Sequence, residues 1–127
     1  MPEHLNDAKY EDGERPVPDQ WRNTFSQIVE AFVSGDFRIE RSINGVKPPS
    51  SEEATMMADN IDHYGGKLTR LPQESWDTSI CRWMEGYWEV VVDLFTERDG
   101  LSDLVLFARV YERDHTYEFE IESVHVP

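Results

Sequence analysis

The sequence predicts an α+β domain, two N-terminal helices packed on a four-stranded antiparallel meander sheet. Three observations carry this expectation. Apolar residues recur at three- and four-residue steps in two stretches between Asp19 and Gly66. The run Trp88-Glu89-Val90-Val91-Val92-Asp93-Leu94-Phe95-Thr96 is rich in the β-branched and aromatic residues that suit a central strand. Turn sequences then divide the chain around that run into hairpin-sized pieces.

Composition narrows the function classes. A chain of 127 residues fits one core, and 26 Asp+Glu against 12 Lys+Arg give a formal net charge of -14. That balance argues against nucleic acid and anionic membrane surfaces and favours a protein partner with basic character. Cys81 is the single cysteine, so no intramolecular disulfide can form and a cytoplasmic setting is expected. The N-terminus lacks the basic start and apolar run of an export signal, and no stretch is apolar for long enough to span a bilayer.

In chain order, residues 1–18 are polar, acidic and proline-bearing and are read as a flexible acidic tail, leaving 19–127 as a single domain. Helix one starts at Asp19, taken as the N-cap. It places Trp21, Phe25, Ile28, Val29, Phe32 and Val33 on one side, and Gly35 closes it. Residues 36–43 alternate like a short strand before Asn44-Gly45 and Pro48-Pro49 interrupt. Helix two opens with the capping-box sequence Ser50-Ser51-Glu52-Glu53, buries Ala54, Met57, Ala58, Ile61 and Tyr64, and ends at Gly65-Gly66. Four strands follow, over 76–84, 87–96, 102–112 and 116–126.

Side chains alternate across a strand, so hairpin loops determine which residues share a face. A loop at Glu85-Gly86 sets Trp83 opposite Trp88 and Cys81 opposite Val90. A five-residue connection over 97–101 sets Leu94 opposite Leu104 and Val92 opposite Leu106. A turn at Arg113-Asp114 sets Val110 opposite Tyr117 and Ala108 opposite Phe119. The even-numbered face of the two middle strands is then apolar and becomes the core under the helices. The opposite face carries a charged row, Arg82, Glu89, Arg109 and Glu118, beside an apolar band of Ile80, Val91 and Phe107, with Trp76 near Phe95. Such a row reads as a cross-strand ion-pair ladder, and such a band does not suit a face wholly open to water. Ile80, Val91, Phe107, Trp76, Glu118 and Glu120 are therefore the candidate binding residues, for a homodimer or for a basic protein partner.

Candidate chemistry is weaker. The acidic turn of Asp93, Glu97, Asp99 and Asp103 lacks calcium-loop spacing, and turns favour Asp and Gly for backbone reasons. His4, His63, His115 and His125 are scattered rather than paired for a metal. Cys81 falls on the core face, and the stripe of Glu118, Glu120 and Glu122 has no nucleophile or base beside it. Tyr64-Gly65-Gly66-Lys67 closes a helix, which is the wrong end for phosphate binding. No catalytic residue, metal or cofactor is assigned, and the reading favours a binding module over an enzyme. The alternative is a small enzyme or metal-binding protein built from Asp93, Asp103 and His125 at one end of the sheet.

The segment Trp88 to Glu97, then Gly100, Ser102-Asp103-Leu104 and the closing His125-Val126-Pro127, resembles a bacterial domain family of unknown function, across most of the chain after the tail. That resemblance implies a small stand-alone bacterial protein and hands over no catalytic residue. In size, charge and architecture the chain is also similar, more loosely, to small acidic immunity proteins that neutralise toxins.

Overall fold

A computed structural model describes residues 13–127. The elements run β1 (Arg15–Pro16), α1 (Asp19–Val33), β2 (Val46–Lys47), α2 (Ser51–Tyr64), a 3-10 turn (Gln73–Asp77), β3 (Ile80–Trp83), β4 (Trp88–Thr96), β5 (Gly100–Arg113) and β6 (Thr116–His125). The expected α+β architecture with two helices is present. Among the described residues the sheet has six strands rather than four, in the order β1-β3-β4-β5-β6-β2, and is mixed because β2 runs parallel to β6.

Both helices form where local chemistry places them. Ser50 and Glu53 satisfy each other's backbone N–H groups at 3.1 and 2.8 Å, and Gly65 closes α2 at φ +88. The N-cap of α1 is Pro18 rather than Asp19; Asp19 sits inside the first turn, where its carboxylate pairs with Arg22 at 3.0 Å. Trp21, Phe25, Ile28, Val29 and Phe32 from α1 join Met57 and Ile61 from α2 in one buried cluster with Val90, Val92, Leu104, Leu106 and Val110. That is the even-numbered face, as alternation requires. Aromatic edges interlock at its centre: Trp21 meets Trp88 at 5.8 Å and Phe25 meets Phe119 at 5.4 Å, both edge to face.

The β3–β4 register matches the expectation, with Trp83 opposite Trp88, Cys81 opposite Val90 and Arg82 opposite Glu89. Glu85 and Gly86, both at positive φ, make the two-residue loop. Two registers differ. A bulge between Asp93 and Phe95 removes the Leu94–Leu104 pairing, and β5 already starts at Gly100. The last hairpin turns at Asp114-His115, both at positive φ, which shifts β6 by two residues and sets Val110 opposite Phe119 and Ala108 opposite Ile121. A shift of two preserves the face, so the core assignment survives the wrong turn.

Three other readings need correction. Residues 36–43 form turns, with Ile39 and Ser42 at positive φ, and not an extended strand. The first strand of the meander begins at Ile80 and not at 76, because serine hydroxyls take the place of strand pairing: Ser79 Oγ accepts from Asp93 N–H at 2.9 Å and Ser75 Oγ donates to the Asp93 carbonyl at 2.7 Å. Within the segment read as tail, Arg15 and Pro16 pair with Cys81 and Ile80, and Val17 is buried; residues 1–12 lie outside the described residues. The two-residue strands β1 and β2 cover parts of the sheet's two edges. Gly45 brings β2 into place, since its carbonyl accepts from Phe119 N–H at 2.8 Å. A Cβ there would stand 2.9 Å from the Tyr117 carbonyl oxygen.

Candidate functional site

The two helices bury their apolar residues in the cluster on the inner face, and the opposite face of β3–β6, odd-numbered on β4 and β5 but even-numbered at Ile80 and Arg82 of β3 and at Glu118 and Glu120 of β6, carries no helical layer among the described residues. The alternation that makes the inner face apolar sends Ile80, Val91 and Phe107 outward, and the register lines them up across three strands with Ser123 beyond. All three are half-buried. Phe107 stacks on His125 with ring centroids 4.6 Å apart, and His125 Nδ1 lies 2.9 Å from Ser123 Oγ.

The neighbouring row is charged and aromatic. Arg82, Glu89 and Arg109 lie opposite one another, but the two-residue shift of β6 makes Glu120 the partner of Arg109 and sends Glu118 opposite Tyr111. Arg82 pairs with Glu14 at 3.2 Å, Arg109 with Glu122, and Glu120 with Lys47 at 3.7 Å. Arg109 also lies 4.5 Å from the centre of the Tyr87 ring, and Tyr87 meets Tyr111 at 5.7 Å. Its guanidinium is held above the usual arginine range, first by the Tyr111 side chain.

Of the candidate binding residues, the structure brings Ile80, Val91 and Phe107 into one row and sets Glu118 and Glu120 on the flanking strand. Trp76 is elsewhere. It is 7% exposed in the core cluster, with Arg22 over its ring at 5.6 Å, because residues 73–77 coil into a 3-10 turn after Pro72 instead of extending along β4. Tyr87 and Tyr111 were missed by the sequence reading, although their odd numbers, one residue before β4 and on β5, put them in line with Arg109 by the same alternation.

The acidic turn is a structural knot. Tyr64 Oη donates to Asp99 at 2.8 Å and accepts from Asp103 N–H at 3.1 Å, and Arg98 pairs with Asp99 at 3.0 Å. Hydrogen bonding from Arg98 holds the Asp99 carboxyl below its ordinary range. Asp93 and His125 both pair with Val105, from opposite sides, so a whole strand separates them by roughly 9 to 10 Å of sheet. Among the described residues no group of three or more His, Cys, Asp or Glu side chains is placed to hold a metal ion. No described helix is long and apolar enough to cross a membrane.

No curated protein and no solved structure matches the chain. A family model described as Domain of unknown function (DUF7668) matches residues 29–127, from the second half of α1 to the last residue, and so takes in both faces of β3–β6. The chain belongs to the DUF7668 family, a domain of unknown function.

Proposed function

We propose that this chain is a protein-binding module whose outer sheet face takes a basic partner protein. The observation that supports the reading is the row of Ile80, Val91 and Phe107, which no described helix covers, beside Tyr87, Arg109 and Tyr111. Interface anchors are enriched in Tyr and Arg, and burying what each of these partly buried apolar side chains still exposes gains a fraction of the about 1.5 to 3 kcal/mol of a full transfer, before association costs. Glu89, Asp93, Glu118, Glu120 and Glu122 on and beside this face stand against Arg82, Arg109, Arg113 and Lys47, and the chain as a whole carries a formal net charge of -14. That excess favours a basic protein over a second copy of this acidic chain, whose face would repel its twin. An immunity-type role, neutralising a basic toxin, is one instance of such binding.

The test has two arms. Light scattering across concentrations should report a monomer; a dimer converted to monomer by Phe107→Glu would replace the basic partner with a second copy. Affinity purification should retain a basic protein that Phe107→Glu and Tyr111→Ala both lose, with an association rate that falls steeply as salt rises. Identical capture by wild type and both variants would overturn the reading.

A further inference from the structure

On the outer sheet face the chain already holds a cation against converging groups. The Arg109 guanidinium lies 4.5 Å from the centre of the Tyr87 ring, Tyr87 meets Tyr111 at 5.7 Å, and Arg109 Nε pairs with Glu122 Oε1. The residue before β4, the middle of β5 and the end of β6 supply these groups. Register explains how they meet. Phe107 faces Ser123 and Ala108 faces Ile121, so Glu122 is the extra residue of a bulge, and bulges re-aim side chains. Glu120, directly opposite Arg109, pairs with Lys47 instead.

Aromatic rings and a carboxylate gathered on one guanidinium suit arginine above other side chains, because the flat cation stacks on a ring while its fork of N–H donors meets the carboxylate. The charged form of Arg109 is favoured first by hydrogen bonding to the Tyr111 side chain and then, against desolvation, by the electrostatics of Glu122 and Tyr87. Arg113 covers the Tyr111 ring at 5.1 Å, so a second guanidinium repeats the preference on the same pair of rings. The site is open to exchange. The side chains of Arg109 and Glu122 are 40% and 35% exposed. Negative charge is also in surplus around it: among the described residues Glu89, opposite Arg109, and Glu118, opposite Tyr111, make no ion pair.

We infer that Arg109 is a built-in placeholder, and that the basic partner of this face docks by setting an arginine of its own against Tyr87, Tyr111 and Glu122 in Arg109's place. The inference rests on the protein-binding reading of the face and names the group recognised there. Because Arg109 is tethered beside the site, it lowers the apparent affinity of an incoming arginine by the fraction of chains in which the site is vacant. The probe is acetylarginine amide, with acetylcitrulline amide as its neutral isostere, titrated into the full chain and followed by backbone amide and tyrosine ring shifts. In Arg109→Ala the arginine probe should give saturable shifts at Tyr87, Tyr111 and Glu122, with affinity at least roughly fivefold above wild type. Arg109→Gln, which keeps more of the side chain's bulk, should act in the same direction. The citrulline probe should bind at least roughly fivefold more weakly than the arginine probe, and adding Glu122→Gln or Tyr87→Leu to Arg109→Ala should each weaken the arginine probe by roughly fivefold. Unmoved amide signals from Val90, Val92 and Leu106 on the inner face confirm that the variants fold. These titrations need no partner, whereas the protein-binding reading is tested by capture that Phe107→Glu abolishes, so the two fail separately. Equal affinity of the arginine probe for wild type and both Arg109 variants, equal binding of the citrulline probe, or no shift at Tyr87 and Tyr111 would overturn the inference.

Discussion

The two faces of the same four strands differ in what holds them. On the inner face Trp88, Val90, Val92, Leu104 and Leu106 have no measurable exposure, and their neighbours come from α1, α2 and the opposite strands. On the outer face Val91, Phe107, Arg109 and Tyr111 are half-buried, and the contacts that bury them lie within the sheet surface itself: ring on ring, guanidinium on ring, carboxylate on guanidinium. Burial between layers removes nearly all of a side chain from water, and burial within a surface leaves part of it exposed. Stability is therefore concentrated on one face, and the other can vary, or be spent on a partner, without loosening the fold.

The largest expected effect tests that asymmetry directly. Trp88→Ala should lower unfolding free energy by about 3 to 5 kcal/mol in urea denaturation, while Phe107→Ala should cost about 1 kcal/mol or less. Equal losses would erase the distinction between the faces.

Alkaline pH probes the inner face through one residue. Cys81 is buried, and desolvation raises its thiol from 9.0 to about 11. A raised folded-state value favours the protonated thiol, so its contribution is fully present below pH 9 and is lost as pH rises toward 11. The wild type should lose on the order of 2 kcal/mol more than Cys81→Ala between pH 8 and 11. At pH 8 the native thiol should react with a disulfide reagent far more slowly than in urea.

Among the described residues the helical layer covers only the inner face, and loosening it should therefore spare the outer one. Ser50→Ala removes the capping box of α2 and should cost about 1 kcal/mol by thermal or urea unfolding. The outer-face amide spectrum should stay unchanged.

The smallest effect belongs to the outer face and the turns. Phe107→Glu should shift stability by less than about 1 kcal/mol while abolishing partner binding. Asp36, held below its ordinary 3.8 first by the Glu40 N–H, should contribute stability above that pH and lose it as pH falls through the lowered value. Asp36→Asn should flatten the acid limb of the stability profile by that amount.

Much of this fold was legible because the strongest signals are local. Helix periodicity, the Ser50 to Glu53 box, the Glu85-Gly86 loop and the two-residue alternation of β4 and β5 each act within a few residues, and together they determined both helices, the meander and its core face. Even the misplaced last turn kept the face, since alternation repeats every two residues. What only the tertiary structure decided depends on contacts between distant segments. Strands β1 and β2 are two residues long and carry no pattern of their own; they exist because the edges of β3 and β6 offer unpaired backbone groups. Trp76 lies in the core because two serine hydroxyls, 14 and 18 residues from Asp93 along the chain, capture its backbone. The meeting of Tyr64, Asp99 and Asp103 in one hydrogen-bonded turn depends on how α2 packs against the β4–β5 hairpin in space, and a spacing in sequence cannot encode a distance that only the folded chain defines.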